Sequence, residues 1–197
     1  KILISAFLLF GVLSILEFFS ITDKIFKNIF NKFSANIIFI FYVFIFCIFF
    51  IFTSNYFESK ITLYSLILCC VGSDLGGYVI GKIFKGPKLT KISPNKTYSG
   101  MFGSIFLTLL IFSTIIFYLT NNLSYKIILY ALTTSISCQI GDLVFSYLKR
   151  KAKLKDTGKI LPGHGGFLDR IDGIIFVMPI IYLCVLPILI NKLDLIK

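Results

Sequence analysis

The sequence predicts an all-α protein: a polytopic membrane bundle of about six transmembrane helices that forms one domain over residues 1–197. Three observations support this prediction: an apolar composition, six long apolar runs, and basic charge that alternates between loops. Of the 197 residues, 57% are hydrophobic and only 15% are charged, and the mean hydropathy is +0.92. Soluble domains carry about 25% charged residues. An ordinary soluble enzyme and a disordered chain are therefore excluded.

The six apolar runs approach the length of about 20 residues that a helix needs to cross a bilayer. They are apolar on most sides, as expected of helices that face lipid or other helices and bond their own backbone. The chain begins with Lys1 rather than Met, and no signal-peptide cleavage pattern follows the first run. We therefore expect a fragment that lacks N-terminal spans. The runs cover residues 2–20, 37–53, 61–80, 100–120, 125–147 and 174–190.

Basic residues are concentrated in alternate loops. The net charge is +11, and the first, third and fifth loops hold 15 of the 20 basic residues. The positive-inside rule places these loops in the cytoplasm, including the long third and fifth loops at residues 81–99 and 148–173. The charge is thus assigned to membrane orientation, not to nucleic acid. We expect a multi-pass integral membrane protein, located in the inner membrane if the source is bacterial, with its active site facing the cytoplasm.

The five cysteines all lie inside apolar runs and form no CxxC pair. We expect them to be small buried side chains rather than disulfides or metal ligands.

Five of the seven aspartates lie in or beside the two long basic loops. Asp74 is expected about 9 Å below the cytoplasmic boundary, and Asp142 lies five residues before Tyr147, at a similar depth. An ionisable group inside a span is costly and indicates function by default. The alternative is a structural pair with a lysine that reaches the interface. Two carboxylates at matching depth favour a shared cation site.

Helical spacing places a carboxylate, a hydroxyl and three cations on one face of the fifth span. This arrangement suits a metal ion with phosphate oxygens above it, although the basic residues alone would also complement the helix dipole. Asp74 similarly shares a face with Gly77, Tyr78, Gly81 and Lys85, and most glycines of this third span are expected to serve helix packing. The residues on the fifth span are Asp142, Ser146, Lys149, Arg150 and Lys153.

The fifth loop holds four of the 14 glycines within nine residues, and it holds His164, the single histidine of the chain. Glycines let backbone N–H groups crowd around an anion, whereas His164 alone is not read as a catalytic base. Asp169 and Asp172 share a face if they are helical and can present oxygens to Mg²⁺, or one of them can cap the helix.

The third loop contains a turn, Ser93-Pro94-Asn95, followed by Lys96 and Thr97 at the start of the fourth span. Lys96 can meet a phosphate there, with help from the helix N-terminus. The alternative is that the lysines of this loop hold it against anionic lipid.

Two blocks of sequence resemble the phosphatidate cytidylyltransferases, also called CDP-diacylglycerol synthases. The resemblance covers about half of the chain. Ser99 departs from it, because an acidic residue is frequent at that position, and family members usually have further upstream spans. The first block fits the family's Asp-x-Gly-x-Tyr and Ser-Pro-x-Lys-Thr elements with Asp74, Gly77, Tyr78, Ser93, Pro94, Lys96, Thr97 and Gly100. The second block fits the family signature with Ser146, Lys149, Arg150, Lys155, Asp156, Gly158, Pro162, His164, Gly165, Gly166, Asp169, Arg170 and Asp172.

The resemblance implies an enzyme that condenses CTP with phosphatidate, within the lipid bilayer, to give CDP-diacylglycerol and pyrophosphate. It implies Mg²⁺, with a monovalent cation such as K⁺ as a second ion, and it is compatible with a homodimer. The implied catalytic residues are Asp142, Lys149, Arg150, Asp169 and Arg170. The implied metal ligands are Asp142 and Asp169, assisted by Asp172 or Asp74. The implied substrate-binding residues are Ser93, Lys96, Thr97, Ser146, Lys155, Asp156, His164, Gly165 and Gly166.

Three alternatives stay open on the sequence. A CTP-dependent polyprenol or lipid kinase would use a similar substrate pair. A transporter would use intramembrane acids as an ion site, but it predicts acids near the midplane and duplicated broken helices. A lipid-anchoring scaffold with basic loops leaves the placement of the aspartates and glycines unexplained.

Overall fold

The described part of the chain forms a bundle of six helices. The structure is a computed structural model that describes residues 2–55, 57–90, 92–121, 123, 125–158 and 165–185. Within these residues it contains no β-strand, only an isolated antiparallel bridge between Lys88 and Thr97. The last helix continues into a π-helical turn, Ile181–Val185. The helices are α1 (Ile2–Ile25), α2 (Ile29–Asn55), α3 (Phe57–Phe84), α4 (Tyr98–Thr120), α5 (Tyr125–Lys151) and α6 (Leu168–Ile180).

The composition of the helices confirms the membrane bundle. Among the described residues, α2, α3, α4 and α5 are long and apolar enough to cross a bilayer. Much of their apolar surface is exposed: Phe41, Phe102 and Phe106 are each 60–65% exposed. Soluble monomers rarely expose so much apolar surface, so these faces are suited to contact with lipid. α1 covers the first predicted span, and α6 with the π-helical turn covers residues 174–185 of the sixth, whose last residues lie outside the described part of the chain.

Several helices are longer than the predicted spans. α5 continues to Lys151, because lysine and arginine are good helix formers and complement the negative C-terminal end of a helix. α6 begins at Leu168, six residues before the predicted apolar run at 174, so Asp169 and Asp172 lie on the helix ahead of that run. The prediction that Lys153 shares the Asp142 face was wrong, because Lys153 lies beyond the helix with φ of 56°.

α3 and α4 pack with their backbones in close contact. A Cβ atom on Gly103 would lie 2.5 Å from Ile80 Cβ and 2.6 Å from the carbonyl oxygen of Gly76. The Ser104 hydroxyl donates to the Ser73 carbonyl across the same interface, at 2.6 Å. The expected packing role of the α3 glycines is confirmed. This contact fixes the start of α4 against the middle and end of α3.

α6 lies in the interior of the bundle. Leu168, Ile175 and Val177 are fully buried, between α5, α2 and α3. Pro179 lies inside α6 and has no N–H to donate to the carbonyl four residues earlier. The Tyr42 hydroxyl of α2 donates to that carbonyl, Ile175 O, at 2.9 Å. α2 therefore satisfies the backbone acceptor that the proline leaves open.

Three of the four cysteines whose side chains the structure describes are buried, as predicted: Cys69, Cys70 and Cys138. Cys47 is half-buried, and all four are free thiols. The side chain of Cys184 lies outside the described residues.

Candidate active site

A polar cavity of about 370 Å³ opens where α3, the third loop, α4, α5 and α6 meet. α3 contributes Asp74, and α5 contributes Asp142 from nine residues before its end at Lys151. α6 contributes Asp169 and Asp172. The cavity is lined by Ser73, Asp74, Gly77, Tyr78, Leu89, Ser93, Asn95, Lys96, Thr97, Gly100, Met101, Ser104, Gln139, Asp142, Asp169 and Asp172. The structure thus brings together all four predicted metal ligands and the three predicted substrate-binding residues of the third loop.

The third loop brings its lysine into contact with α5. Lys96 forms an ion pair with Asp142 Oδ2, and its backbone N–H donates to Ser93 O at 3.1 Å, which closes the predicted turn. Thr97 is the N-cap of α4, and its Oγ1 accepts from Gly100 N at 3.1 Å. Capping hydroxyls satisfy N–H groups that the first helical turn leaves unpaired. The cap therefore sets where Lys96 enters the cavity.

The cytoplasmic end of α5 presents part of the predicted face. The Ser146 hydroxyl donates to Asp142 Oδ1 at 3.2 Å, and Lys149 Nζ donates to Asp169 Oδ1 at 2.6 Å. Arg150 is exposed and points elsewhere, with Nη1 3.4 Å from Leu154 O. Two of the predicted cations, Lys96 and Lys149, thus contact carboxylates of the cavity, and Arg150 does not line it.

Asp169 organises the ends of the fifth loop. Its Oδ2 accepts from Thr157 N at 2.8 Å and from Gly166 N at 3.2 Å, in addition to the Lys149 contact. Burial disfavours its charged form, but the hydrogen bonds from Lys149 and Thr157 outweigh burial and lower the pKa of Asp169 below its ordinary value. Asp169 is therefore an ionised carboxylate that joins α5, the fifth loop and α6.

Asp74 and Asp172 complete the acidic lining. Asp172 Oδ1 accepts from its neighbour Gly173 N at 2.8 Å, and the Cys138 thiol lies 3.8 Å from Asp74 Oδ1. The Asp142 carboxylate acts electrostatically on both. Among the residues that the structure describes, however, no three acidic, histidine or cysteine side chains stand close enough together to hold a metal ion alone.

The remaining predicted residues lie at the edge of this arrangement. Gly166 is buried beside Asp169, whereas Lys155, Asp156 and Arg170 are exposed and are not among the cavity-lining residues. Gly165 has a φ of +86°, which favours glycine, and a Cβ atom there would lie 3.3 Å from Asp156 Cβ. His164 lies outside the described residues.

Sequence reasoning missed Glu17 of α1. Glu17 is 3% exposed, and it contacts the fifth loop at two places. Its Oε1 accepts from Phe167 N, and its Oε2 accepts from Leu168 N and from the Thr157 hydroxyl, each at 2.8 Å. A signal was available, because Glu17 is the one charged residue inside the first apolar run, where a charge is expensive.

Comparison with known proteins shows which family the fold and site define. The sequence profile of the cytidylyltransferase family matches residues 2–187. The chain belongs to this family.

Three named relatives are phosphatidate cytidylyltransferases. The protein from Bacillus subtilis is 45% identical over 125 residues, which are 60% of this chain and 46% of the relative. The protein from Staphylococcus haemolyticus is 40% identical over 121 residues, with the same two shares. The protein from Mycobacterium leprae is 37% identical over 114 residues, which are 57% of this chain and 36% of the relative. The matched segment spans about half the length of these relatives or less.

Proposed function

We propose that this chain carries the catalytic site of a phosphatidate cytidylyltransferase, which converts CTP and phosphatidate to CDP-diacylglycerol and pyrophosphate. The observation that carries the proposal is the convergence of Asp74, Asp142, Asp169 and Asp172 with Lys96 in one cavity. This convergence joins two sequence blocks, which end at Gly100 and begin at Ser146 and are separated by 45 residues. The names of the relatives indicate the same substrates.

The cavity suits the meeting of two polyanions. An oxygen of the lipid phosphate forms a bond to the α-phosphorus of CTP, the bond from that phosphorus to the bridging oxygen breaks, and its electron pair leaves with pyrophosphate. Such transfers depend mainly on positioning and charge neutralisation. Lys96 and Lys149 supply positive charge at the cavity, and Lys96 can exchange its Asp142 partner for a phosphate oxygen when substrate enters. Ser93 and Thr97 add hydroxyl groups beside it.

The donor set fits Mg²⁺, which prefers oxygen ligands and is usually held by one or two carboxylates together with substrate phosphates and water. One or two of Asp142, Asp172 and Asp74 would hold it, with the Ser146 hydroxyl beside Asp142. A ligand role for Asp169, which accepts from Lys149 and Thr157, stays a prediction. When bound, the ion would neutralise charge on the reacting phosphates. The absence of a three-ligand cluster in the described part of the chain suits an ion that arrives with the nucleotide. A second site for K⁺ rests on the family resemblance alone.

The orientation and the assembly are part of the proposal. The cavity opens beside the third and fifth loops, which carry most of the basic charge, so we place it at the cytoplasmic side. There CTP can arrive from solution, and the phosphate of a lipid lies at the interface. A homodimer, the catalytic roles of Arg150 and Arg170, and the substrate-binding roles of Lys155, Asp156 and His164 stay predictions.

The test is a product assay on membranes that contain the full chain, supplied with phosphatidate, Mg²⁺ and CTP labelled either in the cytosine or in the γ-phosphate. The proposal expects cytosine label in a lipid product and γ-label in pyrophosphate. The kinase alternative expects γ-label in a phosphorylated lipid and cytosine label in CDP, and that result would reject the proposal.

The matched variant is Asp142→Asn, which keeps the size of the side chain and removes its charge. We expect at least a hundredfold loss of turnover, typical of losing a group that stabilises charge in the transition state, with normal amounts of protein in the membrane. Near-normal formation of CDP-diacylglycerol by this variant would remove Asp142 from the catalytic site.

A further inference from the structure

Glu17 of α1 makes contacts that the proposed reaction does not use. Its carboxylate is almost completely buried, although a buried charge is costly unless it is paired or hydrogen-bonded. It receives two backbone N–H groups at the start of α6 and the hydroxyl of Thr157. N–H groups at a helix start have no partner within the helix and favour a negative charge. α1 therefore supplies the acceptor that the start of α6 needs.

Two segments of the fifth loop, at Gly158 and at Gly166, lie directly against this carboxylate. A Cβ atom on Gly158 would lie 2.8 Å from Glu17 Cδ, and one on Gly166 would lie 2.7 Å from Glu17 Oε2. Any side chain at these positions would displace the loop or the carboxylate. Gly158 is thus explained by close approach to Glu17, and Gly166 by close approach to Thr157 Oγ1 and the Gly158 backbone as well as to Glu17.

The same two segments of the fifth loop also contact Asp169. The Thr157 hydroxyl lies 2.8 Å from Glu17 Oε2 and 3.1 Å from Asp169 Oδ2, and Gly166 N donates to Asp169. Asp169 in turn pairs with Lys149. A continuous set of contacts thus runs from α1 through the fifth loop to the acidic cavity.

We propose that Glu17 is a positioning residue. It anchors two segments of the fifth loop, at Thr157 and at Phe167, to α1, and it thereby holds Asp169 and Lys149 in the geometry that the reaction needs. The inference about turnover rests on the proposed function, but the anchoring of the loop does not. Displacement of a catalytic group by about 1 Å can reduce a rate by 10²-fold. Glu17 therefore affects kcat without touching substrate.

Glu17→Gln tests the proposal, because the amide keeps the volume but presents N–H groups to N–H donors. The full chain in detergent micelles is treated briefly with trypsin, and cleavage after the exposed Lys155 in the fifth loop is compared with cleavage after the exposed Lys85 in the third loop. Leaving a buried donor unpaired costs enough to shift a local equilibrium about tenfold. We expect cleavage after Lys155 to rise about tenfold and cleavage after Lys85 to stay unchanged.

Ser14→Ala is the matched control. Ser14 is fully buried on the same helix, and its hydroxyl donates to Phe10 O at 2.7 Å, so this variant removes a hydrogen bond within α1. This variant should leave cleavage and turnover as in the parent chain. For Glu17→Gln we expect kcat for CDP-diacylglycerol formation to fall at least tenfold while KM for CTP changes less than threefold.

The outcomes separate the two proposals. Unchanged cleavage after Lys155, or an equal rise at Lys85, overturns the positioning role. Selective loosening of the fifth loop in a parent chain that makes no CDP-lipid keeps the anchor and rejects the proposed reaction. If Glu17→Gln does not accumulate, Thr157→Val removes the hydroxyl donor to Glu17, and its selective effect on Lys155 cleavage is judged in the same way.

Discussion

The ion pair between Lys149 and Asp169 offers a quantitative test of the site. The two side chains are only 14% and 11% exposed, and Nζ lies 2.6 Å from Oδ1. Removing one partner of a buried pair costs about 3–5 kcal/mol, because the other charge is left buried without compensation. The adjoining polar cavity can hydrate the remaining charge in part. For Asp169→Asn we therefore expect a loss of about 2–3 kcal/mol, judged from the lower end of that range.

The measurement is the thermal unfolding of the full chain in detergent, and the readout is the fraction of protein that stays monodisperse after heating. A change of 1 kcal/mol shifts Tm by about 2–4 °C in a domain of this size, so Asp169→Asn should lower Tm by roughly 8 °C. Combining it with Lys149→Met should recover part of the loss, because neither charge is then buried alone. The expected coupling energy from the double-mutant cycle is about 2 kcal/mol.

The chain provides its own control pair. Lys32 and Asp23 also form an ion pair, at 2.5 Å, but these side chains are 39% and 54% exposed. Exposed pairs contribute about 0–1 kcal/mol because water screens them and long side chains lose entropy. Asp23→Asn should therefore shift Tm by at most about 4 °C. Equal shifts for Asp23→Asn and Asp169→Asn would refute the view that burial makes the cavity pair special.

Two further predictions use the same unfolding assay. The lowered pKa of Asp169 means that the fold favours its ionised form, so the stability that Asp169 contributes is complete above about pH 4 and is lost as the pH falls below that value. The Tm difference between the parent chain and Asp169→Asn should therefore stay constant from pH 5 to pH 8 and shrink in acid. A difference that already shrinks at pH 6 would contradict a lowered pKa of Asp169. Gly103→Ala should lower the free energy of unfolding by about 1–3 kcal/mol, because the added Cβ would meet Ile80 and the Gly76 backbone. Gly11→Ala should lower it less, because its Cβ would meet only side chains, at 3.1–3.2 Å. Equal effects of the two variants would contradict the close packing of α3 and α4.

The sequence predicted the helices well because long apolar runs have few alternatives in a membrane. The boundaries were less predictable. The basic end of α5 reads as a loop by charge, yet its residues are good helix formers and continue the helix to Lys151. α6 begins at Leu168, because its first N–H groups find an acceptor in α1, and that acceptor is 151 residues away in the chain.

The gathering of the site was predictable from spacing and depth, but its pairing was not. Asp74 and Asp142 lie ten and nine residues before the ends of α3 and α5, and both line one cavity, as matching depth predicted. That Lys96 pairs with Asp142, and Lys149 with Asp169, depends on the packing of loops onto helices, which local patterns do not encode. The role of Glu17 was missed for the same reason, although its charge inside an apolar run was visible.

The uncharged polar lining of the cavity bears on the choice between an enzyme site and a transport path. Gln139, Ser104 and Ser73 line the cavity beside the carboxylates. Gln139 Nε2 lies 3.2 Å from Ser135 Oγ, and Ser104 donates to Ser73 O. These polar groups thus bond to one another, and the adjoining backbones of Gly76 and Gly103 leave no room for a side chain. A transporter needs alternating access from both sides to a site near the midplane. Within the described helices, the polar groups beside the four aspartates of the cavity are bonded to one another, an arrangement that favours the proposed enzyme over a transporter.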